Sequence, residues 1–188
     1  METKRRKKLF VVLEGLSGCG KSTIAALLAK RIRAKLCSTP MGPFRNAREV
    51  IDRQNRFPLA RFYFYLAGVV HASGMITALL KKSSVVCDRY FLTSYCYHKS
   101  IGAHPLPPSK SIILRRPDFT FLITCAEKKR RFRLARRGFS FNDEEERRLH
   151  VERRFLREYR RYHPIEIDNS SSNPSVAVSK IIKIIYRL

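Results

Sequence analysis

Short apolar runs recur along this chain, and longer segments with apolar residues at helical spacing lie between them. Runs this short are typical of buried strands, whereas recurrence every three or four residues indicates a helix with one buried face. The predicted strands are residues 9–13, 36–38, 84–88, 119–124 and 164–168. The predicted helices are residues 23–32, 45–56, 58–80, 126–137, 144–162 and 176–186.

The longest of these helices, residues 58–80, has apolar residues at steps that fit one buried face. The residues expected on that face are Leu59, Phe62, Leu66, Val69, Val70, Met75, Leu79 and Leu80. Prolines at positions 105, 107 and 108 predict a stiff surface loop before Ser111.

The alternation of strands and helices predicts an α/β fold in which helices cover both faces of a parallel sheet. We expect a basic tail at residues 1–8 and one domain at residues 9–188. Ligands of such sheets bind at the carboxyl ends of the strands. This rule places the loop at Gly15, the pair Asp88 and Arg89, and the segment after Asp168 along one edge.

The length of 188 residues is enough to bury a core without disulfides or a structural metal. The five cysteines are odd in number and lack metal-ligand spacing, which favours a reduced, cytoplasmic setting. We find no apolar run near the roughly 18 residues that cross a bilayer, so we expect neither a signal peptide nor a membrane anchor.

The charge of the chain is strongly positive, with 39 Lys and Arg against 15 Asp and Glu, a net +24. Residues 4–8, 128–137 and 147–161 carry much of it. A solvated surface that attracts anionic substrates explains such an excess, and unspecific attraction of nucleic acid is the alternative. The basic residues lack the regular aromatic interleaving of a strand-stacking surface, and the chain has no zinc-finger or RNA-binding signature.

One segment matches the phosphate-binding pattern G-x-x-x-x-G-K-[ST] at every fixed position. Its residues are Gly15, Leu16, Ser17, Gly18, Cys19, Gly20, Lys21, Ser22 and, just after the pattern, Thr23. Glycines let backbone N–H groups turn inward on phosphates, Lys21 supplies positive charge, and the Ser22 hydroxyl reaches Mg²⁺. A predicted strand precedes the loop and a helix follows it, so the positive end of the helix lies beneath the phosphates. The pattern predicts a nucleoside triphosphate site.

Further residues suit phosphoryl transfer, which requires positioning and neutralisation of negative charge. Asp88 ends an apolar strand, where its carboxylate can join Ser22 in the metal shell or accept a proton from the acceptor. The arginine-rich segment before Gly138 predicts a mobile lid, about residues 133–147, that brings arginines to the phosphoryl group and excludes water. Spacing does not distinguish among its five arginines. The candidate catalytic residues are Lys21, Asp88, Arg89, Arg133 and Arg137.

Ten aromatic residues between positions 44 and 97 include two or three that we expect to line a pocket for a planar base. We expect the others to lie in the core, and His71 and His98 to be ordinary packed or surface residues. The candidate acceptor contacts are Glu14, Phe44, Arg45, Arg61, Tyr65, Arg89 and Tyr97.

With these residues the chain resembles the thymidylate kinase-like group of P-loop nucleoside and nucleotide kinases over nearly its whole length. The markers are residues 10–15, Asp88-Arg89-Tyr90 with Ser94 and Tyr97, Arg116-Pro117-Asp118, Arg137-Gly138 and Ile167-Asp168. The resemblance implies a P-loop NTPase fold with three α/β/α layers, a five-stranded parallel sheet and a helical lid. It implies ATP with Mg²⁺ as donor and a nucleoside or nucleoside monophosphate as acceptor. By the same likeness Arg89 contacts the acceptor or transferring phosphate, Arg45 holds the acceptor phosphate, and the segment after Asp168 lies beside adenine.

The chain departs from this family at three places. The family usually has an acidic residue where Ser17 stands, a Glu-Pro pair after the second strand where residues 38–45 read STPMGPFR, and a base-reading arginine near residues 68–70. Loss of a base-reading side chain changes selectivity by about 1 kcal/mol or more. The sequence therefore supports the type of reaction better than the identity of the substrate.

The leading hypothesis is a cytoplasmic kinase that phosphorylates a small acceptor, with dTMP or a related deoxynucleotide as the first candidate. One alternative keeps the fold and changes the acceptor to a nucleoside, another metabolite or a polynucleotide end. The other alternative is a basic nucleic-acid-binding protein that uses nucleotide occupancy as a switch. The apolar long helix is a candidate face for a homodimer.

Overall fold

Five parallel strands form one sheet in the computed structural model, which describes residues 7–54, 57–105 and 114–187. The strands are β1 (Phe10–Glu14), β2 (Lys35–Ser38), β3 (Val85–Asp88), β4 (Phe119–Thr124) and β5 (Ile165–Asp168). Within the described ranges their order in the sheet is β2-β3-β1-β4-β5. The predicted parallel sheet is therefore confirmed.

Eight helices accompany these strands in the described part of the chain. They are α1 (Lys21–Arg31), α2 (Pro43–Gln54), α3 (Pro58–Leu80), α4 (Phe91–Ser100), α5 (Glu127–Arg137), α6 (Phe141–Arg148), α7 (Glu152–Arg160) and α8 (Pro174–Tyr186).

The central strand β1 is buried along its whole length, as a parallel strand covered on both faces must be. Its residues alternate between two cores, with Val11 and Leu13 in one and Phe10 and Val12 in the other. The first core includes α1 and α8 residues, and the second includes residues of α3.

The register of the strands aligns their carboxyl ends. Leu13 lies opposite Asp88 on β3 and opposite Phe121 on β4, while Asp168 pairs with Thr124 at the end of β5. The loops that follow β1, β3 and β5 therefore leave the sheet along the same edge, where the sequence predicted the site.

The predicted helix at residues 144–162 is wrong, because two helices, α6 and α7, occupy this range. His150 between them has a φ of 48°, a left-handed conformation that a continuous helix does not contain. Ser140 and Asp143 form a capping box that starts α6 earlier than apolar spacing suggested.

The expected buried face of α3 is partly wrong. Phe62, Leu66 and Val69 are buried, but Leu59, Val70 and Met75 are exposed. Among the described helices α3 is also long and apolar enough, by length and composition alone, to cross a membrane, which corrects our statement that no such run exists. A core helix passes the same test, and α3 packs against the sheet and α4.

Two expectations concern segments outside the described residues. The basic tail falls mostly on residues 1–6, and the proline loop falls mostly on residues 106–113. The division into a tail and one domain stays a prediction.

Candidate active site

The loop between β1 and α1 has a backbone that requires glycine at its fixed positions. Gly15 has a φ of 137°, and a Cβ there would lie 2.3 Å from the carbonyl oxygen of Ile123. Gly20 has a φ of 90°, and its Cβ would lie 2.5 Å from Nδ2 of Asn169. Any side chain at either position would meet the neighbouring strand end or its loop, so the spacing of the motif follows from close packing.

The amino end of α1 offers unpaired donors to a ligand. Gly20 is the N-cap of α1. Because glycine has no side chain, this residue does not cap the first N–H groups of the helix. Lys21 begins the helix, is 4% exposed, and donates from Nζ to the carbonyl oxygen of Leu16 at 2.6 Å. Burial and the nearby guanidinium of Arg89 lower the pKa of Lys21 to about 8, so the ammonium stays mostly charged at neutral pH. The loop therefore presents both backbone N–H groups and a cation to an anion.

Two oxygen ligands for a hard cation lie beside this loop. The Ser22 hydroxyl donates to Oδ2 of Asp88 at 2.5 Å. The other oxygen of Asp88, Oδ1, is buried without a hydrogen-bond partner among the described residues. A hydroxyl and a carboxylate with a spare oxygen fit Mg²⁺, which takes oxygen ligands and completes its shell with water and phosphate.

A large cleft of about 670 Å³ surrounds these groups. Lys21, Ser22 and Asp88 line one part of it, and Asn169, which follows β5, lines another. The structure thus brings together the three sheet-edge segments that the sequence placed at one site. The predicted residues that line it are Ser17, Gly18, Gly20, Lys21, Ser22, Thr23, Asp88, Arg89, Arg133 and Arg137.

The arginines of the predicted lid have different positions. Arg133 lines the large cleft and donates to the carbonyl oxygens of Cys19 at 3.2 Å and Asn169 at 3.3 Å. Arg137 also lines the cleft, and its Nη2 donates to Asp143 at 2.6 Å. Arg130 is buried and pairs with Glu127, away from the cleft lining. The geometry therefore favours Arg133 and Arg137 over Arg130.

A small cavity of about 70 Å³ adjoins the large cleft. Tyr65 and Tyr97 are the two predicted aromatic residues in its lining. The other lining residues are Ser17, Thr39, Pro40, Arg48, Arg89, Thr93, Ser94, His98, Ser140, Asn142, Glu146 and Phe155. The residues common to the two linings are Ser17, Thr39, Arg48, Arg89 and Ser140. Two guanidinium groups, those of Arg48 and Arg89, therefore stand where the two spaces meet.

Arg89 is held in place by the phosphate loop itself. Its Nη1 donates to the Gly15 carbonyl at 3.2 Å, and its Nη2 donates to the Ser17 hydroxyl at 3.0 Å. Its φ of 68° is uncommon outside glycine and is a form of backbone strain that functional sites often hold. The side chain is thereby fixed against the loop, where it faces both spaces.

Glu14 lies behind this arginine and lines neither space. Its carboxylate accepts from the backbone N–H of Tyr90 at 3.1 Å and from the hydroxyl of Thr93. The residue is fully buried, and burial raises its pKa. Glu14 therefore supports the segment after β3, whereas the sequence analysis proposed it as an acceptor contact.

Three other proposed acceptor contacts also lie outside both linings. Arg45 donates to the carbonyl oxygens of Ser38 at 3.1 Å and Pro40 at 3.3 Å. Phe44 packs against Phe64 and His71. Arg61 is buried against Glu145 and Tyr97, with Nη2 2.6 Å from the Glu145 carboxylate. Leu16 and Cys19 of the phosphate loop are also buried; the carbonyl oxygen of Leu16 accepts from Lys21, and that of Cys19 accepts from Arg133 of α5.

His98 lies in the wall of the small cavity, where we expected an ordinary packed or surface residue. It is 1% exposed, and its Nδ1 lies 2.7 Å from the carbonyl oxygen of Ser94, so Nδ1 carries the proton. Its Nε2 is left as an acceptor without a partner in the described part of the chain. Burial lowers the pKa of His98 to about 4, so the ring is neutral at pH 7.

Sequence reasoning missed several lining residues, among them Arg48, Asn142 and Glu146. Arg48 follows Arg45 by three residues on α2. A helix predicted to start at Pro43 would have identified Arg48 as a second candidate for the acceptor site. For Asn142 and Glu146, the capping residues Ser140 and Asp143 marked the start of α6 locally, but the direction in which α6 faces depends on its packing against distant elements.

Comparison with known proteins adds an independent observation. The sequence model described as thymidylate kinase matches residues 13–181. A probable thymidylate kinase from Methanococcus maripaludis is 36% identical over 95 residues, which cover 50% of this chain and 48% of that protein. In such alignments the chain spans about half the length of the curated relatives it matches.

Two solved structures share the fold at low identity. Thymidylate kinase from Candida albicans has a TM-score of 0.75 at 18% identity, and the superposition covers 96% of this chain and 92% of that chain. Deoxyadenosine kinase from M. mycoides, with dCMP and dCDP as bound products, has a TM-score of 0.66 at 15% identity, with 96% and 100% covered. The likeness at these identities concerns the fold alone.

Proposed function

Because this chain belongs to the thymidylate kinase family, we propose that it transfers the γ-phosphoryl group of ATP to a nucleoside monophosphate, with dTMP as the first candidate. The observation that supports this best is the shared boundary of the two spaces. The phosphate loop lines the large cleft, aromatic side chains line the small cavity, and Arg48 and Arg89 line both. Phosphates that enter from the two sides meet at these guanidinium groups.

The donor belongs in the large cleft. Backbone N–H groups of residues 18–21 and the Lys21 ammonium bind its phosphates, and Asn169 and the segment after it line the far end. Ser22 and Asp88 are the residues that would hold Mg²⁺, since they offer a hydroxyl and a spare carboxylate oxygen. When bound, the metal neutralises phosphate charge, which is the main requirement of this reaction.

We place the sugar and base of the acceptor at the small cavity, which must widen beyond its volume of about 70 Å³ to hold them, and its phosphate toward Arg48 and Arg89. A phosphate is already an anion near neutral pH, so no side chain has to remove a proton before it attacks. Arg133, which contacts the loop at Cys19, and Arg137 also line the cleft, where positive charge stabilises the transferring group. Ser140 and Glu146, on or next to α6, close the cavity from solvent, so that water does not compete as acceptor.

The test is ADP formation by the purified protein with Mg-ATP and a panel of dTMP, dUMP, dCMP, dAMP and thymidine. We expect dTMP to give the highest kcat/KM. Lys21→Ala should abolish turnover while the circular dichroism spectrum stays unchanged. The proposal fails if no monophosphate on the panel stimulates ADP formation, or if Lys21→Ala retains turnover. Preference for thymidine over dTMP would assign the chain to nucleosides instead.

We also propose a cytoplasmic location and a homodimer, both of which stay predictions. Leu59, Tyr63 and Val70 are exposed on α3 at spacings that put them on one side of the helix. Such an apolar surface suits a second copy of this chain. Sedimentation of the wild type and of Val70→Glu tests the homodimer.

A further inference from the structure

Three polar atoms in the wall of the small cavity are buried without a hydrogen-bond partner among the described residues. They are Glu146 Oε2, Asn142 Oδ1 and His98 Nε2. A carboxylate oxygen, an amide oxygen and the bare nitrogen of a neutral histidine are all acceptors. Buried acceptors without donors are rare in folded proteins because each costs desolvation free energy. The cavity is therefore built for an occupant that brings hydrogen-bond donors.

Glu146 differs from the other two because it can carry a charge. It is 4% exposed, and of the described residues that line the small cavity it is the one carboxylate. The charged groups that face it are those of Arg89, Asp143, Lys21 and Arg130. Burial raises the pKa of Glu146 to about 7, and no hydrogen bond to the carboxylate is among the contacts that oppose this shift. The neighbouring arginine and lysine place the carboxylate toward the phosphate end of the cavity.

Two residues that precede Glu146 on α6 hold the helix in position. Glu145 accepts from Arg61 at 2.6 Å, which attaches α6 to α3. Asp143 accepts from the backbone N–H of Ser140 at 2.8 Å, which caps α6. With Asp143 and Glu145 engaged in these contacts, the helix directs Glu146 into the cavity, and its side chain has little freedom to find another partner.

A nucleotide has one kind of donor between its phosphate and its base, the hydroxyl groups of the sugar. Arg48 and Arg89 line both spaces and so mark the phosphate end of the small cavity, while Tyr97 and His98 line the small cavity alone. Ser17, at the phosphate end, uses its hydroxyl to accept from Arg89. Of the three unpartnered acceptors, Glu146 is the one that lies near Arg89 and Lys21, next to the phosphate end where the sugar of a nucleotide follows its phosphate. In dTMP the sugar has a single free hydroxyl, at the 3′ position.

We propose that the carboxylate of Glu146 accepts a hydrogen bond from the 3′-hydroxyl of the acceptor nucleotide, which makes this residue of α6 a determinant of acceptor specificity. The inference rests on the proposed function. Recognition of the sugar would then depend on α6. A 3′-deoxy acceptor offers no hydroxyl to Glu146, so the buried carboxylate stays unpaired when α6 covers the cavity.

The test compares dTMP with 3′-deoxythymidine monophosphate in the wild type, Glu146→Gln and Glu146→Ala. At pH 8, above the pKa of Glu146, a hydrogen bond to its charged carboxylate predicts that the wild type prefers dTMP by about 10- to 100-fold in kcat/KM. Glu146→Ala should lower this preference to within about threefold, and Glu146→Gln should give an intermediate value because its amide oxygen still accepts. A merely structural role would reduce activity on both nucleotides equally and leave their ratio unchanged.

Glu144→Gln is the matched control, since Glu144 lies on the same helix and is exposed. We expect it to keep the wild-type ratio. Calorimetric binding of both nucleotides without ATP measures the same ratio without turnover. Equal binding by the wild type, or an unchanged ratio in Glu146→Ala, would overturn the inference. Failure of the wild type to phosphorylate dTMP while it still binds dTMP in preference would overturn the proposed reaction and leave the contact of Glu146 supported.

Discussion

At the scale of single residues, two arginines three positions apart on α2 have different surroundings. Arg45 donates to carbonyl oxygens of the loop after β2, and these contacts occupy its Nε and Nη2 atoms. Arg48 lines both the large cleft and the small cavity, and its described hydrogen bonds, to Asp52 and Tyr65, are made through Nε. Position therefore favours Arg48 as the phosphate-binding residue, although the family resemblance implied Arg45.

Glutamine substitutions at the two positions distinguish these roles. We expect Arg48→Gln to lower kcat/KM for the acceptor by about 100-fold, because charged hydrogen bonds to a phosphate contribute roughly 3 kcal/mol. Arg45→Gln should change it by less than about fivefold, since its described contacts are to the loop. Steady-state kinetics with dTMP measures both. The reverse pattern would restore the role that the resemblance gave to Arg45.

His98 makes the stability of the protein sensitive to acid. Its pKa is about 4 in the folded protein and about 6.5 in an unfolded chain. Below pH 6.5 the unfolded chain takes up a proton that the folded protein refuses, so stability is lost as the pH falls from 6.5 toward 4. The full loss is about 3 kcal/mol.

Urea unfolding at pH 7 and pH 4.5 measures this loss. We expect His98→Asn, whose amide can keep the bond to Ser94, to lose about 2 kcal/mol less than the wild type between these pH values. His104→Asn is the control because His104 is exposed. The same acid sensitivity in His98→Asn and the wild type would show that the ring does not resist protonation.

At the scale of elements, a buried ion pair attaches α6 to α3. Arg61 of α3 donates two hydrogen bonds to Glu145, at 3.1 and 2.6 Å, and a third to Tyr97 at 3.1 Å. Its guanidinium also lies over the ring of Phe141 at the start of α6. The arginine that we proposed as an acceptor contact therefore holds α6 beside the small cavity.

Removal of the Glu145 carboxylate should detach α6. Glu145→Ala leaves Arg61 buried without its partner, and we expect it to lower the free energy of unfolding by about 3 kcal/mol. Amide exchange in residues 141–148 should accelerate with it. Glu144→Ala, one residue away and exposed, should change stability by less than about 0.5 kcal/mol. Equal effects of the two substitutions would show that the pair contributes little.

At the scale of the whole molecule, the net charge of +24 spreads over surfaces that also carry acidic partners. Arg131 pairs with Glu127, Arg161 with Glu158, and Arg160 with Glu166. Exposed basic residues interrupted by carboxylates in this way form a mixed surface. Such a surface attracts nucleotides and other anions over a distance, and salt screens the attraction.

The hypothesis of a nucleic-acid-binding protein makes a different prediction about salt. We expect any binding of single-stranded DNA to weaken steeply with salt and to disappear near 0.15 M, because it arises from released counterions. Fluorescence anisotropy with a labelled oligonucleotide measures the slope, and dTMP binding at the same salt concentrations is the comparison. Affinity for DNA that survives physiological salt would favour the nucleic-acid hypothesis.

The sequence alone determined the phosphate loop, the parallel sheet and the edge at which ligands bind. These features depend on residues that are close together in the chain or on the simple alternation of strands and helices. Gly15 and Gly20 have φ values of 137° and 90°, a local backbone conformation that favours glycine, and a buried parallel strand such as β1 needs apolar residues along its length.

Only the tertiary structure decided which side chains surround the small cavity. Arg48, His98 and Glu146 come from three helices far apart in the chain, and their meeting depends on how those helices pack. Apolar spacing did not reveal the break between α6 and α7, nor that Arg61 pairs with Glu145. A motif formed by neighbouring residues can be recognised from sequence, whereas a cavity lined by distant residues exists only after the core has fixed the helices around it.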